Sequence, residues 1–82
     1  MNGPTETAQD VRHASAALQW GCREALQQHG DLLASLGLSL REAAYQGRDA
    51  LAGAHLREAR LVLIEAIRVF KELEELNGGA GG

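Results

Sequence analysis

Aromatic side chains are nearly missing from this sequence: one Trp, one Tyr and one Phe stand among 82 residues, beside a single Met. Any core must therefore be built from Leu, Ala, Val and Ile. Strand formers are sparse and period-two alternation is absent, so all-α is the class that fits. Cysteine is almost as scarce. With only Cys22 present, a disulfide within the chain is excluded, and a lone thiol suits a reducing, cytoplasmic setting. Long apolar runs are missing as well. None approaches the ~18–20 residues that span a bilayer, and residues 1–7 lack the basic and apolar regions of a signal peptide. A soluble protein without a membrane partner is expected. Nor is there an excess of positive charge: eight basic residues face eleven acidic ones, for a formal charge of −3. Phosphate binding rests mainly on Lys and Arg, so the balance speaks against nucleic acid as a partner.

The length allows one domain at most. A chain this short buries only roughly 60% of its unfolded surface, which makes a lone core marginal. Oligomerisation is a common remedy.

The pattern predicts a bundle of three helices, at about 7–29, 40–52 and 54–76, with a short helical connector at 31–37. Residues 1–6 form a flexible lead-in, 7–77 the helical domain, and 78–82 a flexible Gly-rich tail. Thr7 can cap the first helix and Asp10 suits its positive dipole end; Gly30 is a plausible stop. Asp31 and Gly37 bound the apolar connector. Ser39 and Glu42 make a capping box for the second helix, whose inner stripe is Leu40, Ala44, Gly47 and Leu51. Extending that stripe past Gly53 would place Glu58 and Glu65 inside. A break at 52–55 is therefore expected, with a single bent helix over 40–76 as the alternative.

Residues 56–76 carry the strongest signal. Leu56, Ala59, Leu63, Ala66, Phe70 and Leu73 follow alternating steps of three and four, which is one helical stripe. Leu61, Val62, Ile64, Ile67, Val69 and Leu76 lie off it and are also apolar. A helix that is apolar on more than one side must be covered on more than one side. In so short a chain, part of that cover is expected from another chain: a homodimer or a helical protein partner.

The candidate partner-binding residues are Trp20, Leu63, Ile67, Phe70 and Leu73. Trp20 is a large aromatic on an otherwise small and polar face of the first helix, and Trp is enriched at binding hot spots. No catalytic, cofactor or metal site is predicted. Cys22 and His29 are seven apart and share a face, but structural zinc normally takes four ligands. The glutamates of 58–75 alternate with Arg57, Arg60, Arg68 and Lys71, as on an ordinary solvated helix face.

Residues 44–70 resemble one helical hairpin of the tetratricopeptide-repeat kind. Gly47, Leu56, Ala59 and Ala66 fall where that pattern wants small and large residues, and Gly53 lies near its turn. Such hairpins bind peptides or helices in a groove, so the resemblance implies an interaction role. The expectation is a non-enzymatic helical interaction module, an adaptor or small co-chaperone. A DNA-associated regulatory domain, with 52–55 as a helix-turn-helix, is the alternative.

Overall fold

The computed structural model describes residues 4–81, with side chains over 12–78; residues 1–3 of the expected lead-in and Gly82 of the expected tail lie outside the described residues. The described residues form two long helices, α1 (Pro4–Tyr45) and α2 (Asp49–Gly81), joined by a turn at residues 46–48. They fold back on each other as an antiparallel hairpin of 69 × 20 × 14 Å. It is two helices wide and one helix thick.

The three-helix bundle is thereby corrected to a two-helix hairpin. The stop at Gly30, the connector at 31–37 and the start at Ser39 all fall inside α1, and the break at 52–55 falls inside α2. One buried stripe explains why α1 runs on. Ser15, Gln19, Cys22, Leu26, His29, Leu33, Leu36, Leu40 and Ala43 are the buried or half-buried positions, in unbroken steps of four and three; Ala25 and Ser39 are half-buried beside them. Such a repeat holds a helix against a single neighbour over its whole length. An interior glycine costs ~1 kcal/mol relative to alanine, which is too little to break a helix packed along its entire seam. The Ser39 capping box is overridden for the same reason.

The chain reverses where the seam of α1 ends. Gly47 has φ 71°, in the left-handed region that an L side chain adopts at a cost. Around it the Arg48 amide donates to the Ala43 carbonyl at 2.8 Å and the Gly47 amide to the Ala44 carbonyl at 3.1 Å. This is the Schellman pair of bonds that closes a helix C-terminus. Gly47, expected on an inner helical stripe, is instead the residue that ends α1. The Ala52 amide then donates to the Arg48 carbonyl at 2.9 Å, and Asp49 stands in the first turn of α2, where its charge favours the dipole.

The seam of α2 is Ala52, His55, Ala59, Val62, Ala66, Val69, Leu73 and Leu76, again in steps of three and four. It shares Ala59, Ala66 and Leu73 with the expected stripe but lies to one side of it, leaving Leu56, Leu63 and Phe70 outside. Counting back from the turn at equal rise, Ala43 stands level with Ala52, Leu36 with Ala59, Leu33 with Val62, Leu26 with Val69 and Cys22 with Leu73. Over the middle of the seam the leucines of α1 thus stand opposite alanine and valine of α2, an arrangement that allows close packing. Little is enclosed, however. Among the described residues only Cys22, Leu36, Ala43 and Leu73 count as buried apolar side chains.

Mid-seam, His29 is half-buried and its Nδ1 is enclosed without a hydrogen-bond partner. An enclosed unpaired polar atom costs roughly 1–3 kcal/mol. His29→Leu, similar in size and level with the small Ala66, is expected to raise stability by about 1 kcal/mol or more, read as a higher urea midpoint. Gly47→Ala is expected to lower stability by roughly 1–2 kcal/mol, the cost of a left-handed alanine, in the same urea titration.

Candidate interaction surface

A helix seam uses one side of each helix and leaves two broad faces on the hairpin. On α2, residues 56, 60, 63, 67, 70 and 74 form a stripe roughly 100° round from the seam. On α1 the matching stripe is 16, 20, 23, 27, 30, 34, 37, 41 and 44. Because the helices are antiparallel, both stripes look out of the same broad face. The opposite face is marked by a shallow hollow lined by Leu18, Gly21, Ala25, Val69 and Glu72, with Ala17 and Cys22, which places the other flanks of both seams together.

The two faces differ in chemistry. The first carries Leu56, Leu63, Ile67, Phe70 and Trp20, all large and exposed, with Arg23, Arg41, Arg60 and Glu74 as its charges. The second carries Glu42, Glu58, Glu65, Glu72 and Glu75, beside Leu18, Leu32, Leu61 and Arg68. There Arg68 pairs with Glu65 at 3.9 Å, with both side chains exposed; such a pair contributes little. Acid is thus concentrated on the second face; large exposed apolar side chains occur on both, Leu18, Leu32, Leu51 and Leu61 on the second and Leu56, Leu63, Ile67 with the aromatic Phe70 and Trp20 on the first. A cluster of large exposed apolar side chains, such as that on the first face, marks interaction sites.

The structure separates the candidate residues. Trp20 is 62% exposed, Ile67 54%, and Leu63 and Phe70 each 49%, and all four share the apolar face. Leu73 is only 8% exposed and is held within the seam, where it packs the hairpin itself. Leu56 belongs with the four by position. Gly30 and Gly37 also lie on this face, and both are read from the sequence as ends of helices. Each follows a seam residue, His29 or Leu36, one heptad apart, and the continuity of that seam is the signal that could have placed them.

Cys22, His29 and His55 all point into the seam, but at different levels along it, and His13 lies outside. Among the described residues no three His, Cys, Asp or Glu side chains gather closely enough to hold a metal. No described helix is long and apolar enough to cross a membrane. In comparisons with known proteins, no family model, no curated protein and no solved structure matches the chain.

Proposed function

We propose that this chain is a non-enzymatic helical protein–protein interaction module, an adaptor or small co-chaperone, that self-associates or binds a partner helix through its apolar face. One observation carries the reading: Leu56, Leu63, Ile67 and Phe70 of α2 stand outside the seam, while the α2 side of the seam is mostly alanine and valine. A hairpin with so thin an interior lacks the second layer that ordinarily completes a domain. A partner laid on the apolar face supplies that layer. The lone Cys22 suits a cytoplasmic site of action.

Association that completes the fold makes stability depend on concentration. The melting temperature is expected to rise steadily over a hundredfold concentration series, with the mass in light scattering moving above that of a monomer. A monomer that melts cooperatively at one fixed temperature would mean that the hairpin needs no cover, and would overturn the reading.

Phe70→Gln is expected to weaken association strongly, since a buried hot-spot aromatic contributes 2 kcal/mol or more at interfaces. Trp20→Ala is expected to act in the same direction. In both variants, dissociation should precede loss of helix as the protein is diluted, which circular dichroism and sedimentation measured together will report. Unchanged association in both would remove this face from the interaction.

A further inference from the structure

We infer that the occupant of the apolar face is a second copy of this chain, docked about a two-fold axis parallel to the hairpin's long axis, so that α2 of each copy lies over α1 of the other. The inference rests on the interaction reading above and names its partner and geometry.

The exposed area is large enough for a second copy. The chain exposes 6401 Å² at a mass of 8.7 kDa, whereas a compact monomer of that mass exposes roughly 4,700 Å². Each chain therefore carries a surplus of roughly 1,700 Å² over all its surfaces, of which a standard stable interface would take about 800 Å² from each partner. The hairpin is 14 Å thick, so two stacked copies make a four-helix bundle of ordinary proportions.

The face is also complementary to itself in shape. Its α2 half is bulky, with Leu56, Leu63, Ile67 and Phe70. Its α1 half is small where it matters, with Gly30, Ala34, Gly37 and Ala44. At 1.5 Å of rise per residue, Leu56 stands between the levels of Gly37 and Arg41, about 3 Å from each, Leu63 between those of Gly30 and Ala34, and Arg60 about level with Ala34. Phe70 is level with the stems of Arg23 and Gln27, and Glu74 is close to the level of Arg23.

A two-fold parallel to the long axis keeps every residue at its own level while laying α2 over the partner's α1. Leu56 and Leu63 then enter the partner's sockets at Gly37 and Gly30–Ala34, an Arg stem covers Phe70, and Glu74 meets an opposite charge. Each contact occurs twice, as an isologous interface requires. The other in-plane two-fold would lay α2 on α2, bulk against bulk, and leave glycine facing glycine across a gap.

The glycines at 30 and 37 fit this partner. An added Cβ at Gly30 or Gly37 meets nothing within 4 Å in the hairpin, so packing within the chain gives no reason to accept the ~1 kcal/mol helix penalty at each. Close approach by another chain does.

The test is the double variant Gly30→Leu with Gly37→Leu, studied in the full chain. In the hairpin alone the new side chains enter open space and improve helix propensity, so helicity should hold or rise. In the dimer they fill the sockets, and the dimer should weaken about 100-fold or more, as overpacking at paired sites requires. A dimer of unchanged affinity would overturn the proposed face and axis while leaving self-association standing. A wild-type chain that stays monomeric throughout would overturn the second copy as occupant, and its melting behaviour would then decide the interaction reading itself.

A crosslink reads the axis independently of stability. In a Cys22→Ser background, chains carrying Ala34→Cys mixed with chains carrying Leu63→Cys should form a mixed disulfide dimer on mild oxidation. A disulfide formed by Leu63→Cys chains alone, with none in the mixture across to Ala34→Cys, would mean that α2 packs on α2 and would overturn the geometry.

Discussion

Everything in this hairpin depends on the antiparallel seam between α1 and α2. Its unbroken three–four spacing keeps one side of each helix facing the other along the shared length. That continuity carries α1 through Gly21, Gly30 and Gly37 without a break, because no single glycine penalty competes with a seam held on both sides of it. The turn at 46–48 matters because it sets the register: Gly47 lets α1 close and α2 start within three residues.

The seam also decides which residues remain available. Close packing favours small side chains on α2, and Ala52, Ala59 and Ala66 provide them; the larger Leu56, Leu63 and Phe70, each about a quarter turn round, are displaced to the surface. The narrow interior and the broad apolar face are thus two consequences of one choice. Charge follows the same division. The glutamates at 58, 65 and 72 recur one heptad apart along the opposite flank of α2, so a partner approaching the apolar face meets little acid.

Much of this was legible in the sequence. The all-helical class followed from the sparse strand formers and the absence of period-two alternation. The surplus of apolar surface on 56–76 followed from two overlapping stripes on a single helix. Local punctuation was the poorer guide. Gly30, Gly37, the Ser39–Glu42 box and Gly53 each resemble a helix boundary within a few residues, yet the true reversal is at Gly47. Stop signals of about 1 kcal/mol are local, whereas the stripe from Ser15 to Ala43 is a sum over eight helical steps and emerges only when the whole length is read at one phase.

What the sequence by itself determined is the inventory: helical periodicity, a lone cysteine, an apolar excess on the second helix and a near balance of charge. Only the tertiary structure decided which of two adjacent apolar stripes on residues 56–76 turns inward. Both stripes have helical spacing, and both contain Ala59, Ala66 and Leu73. The choice between them is made by the neighbour, because α1 presents leucines that fit against alanine and valine and would collide with Leu63 and Phe70 at the same close approach. Leu73 therefore went to the seam, while Trp20, Leu63, Ile67 and Phe70 stayed outside.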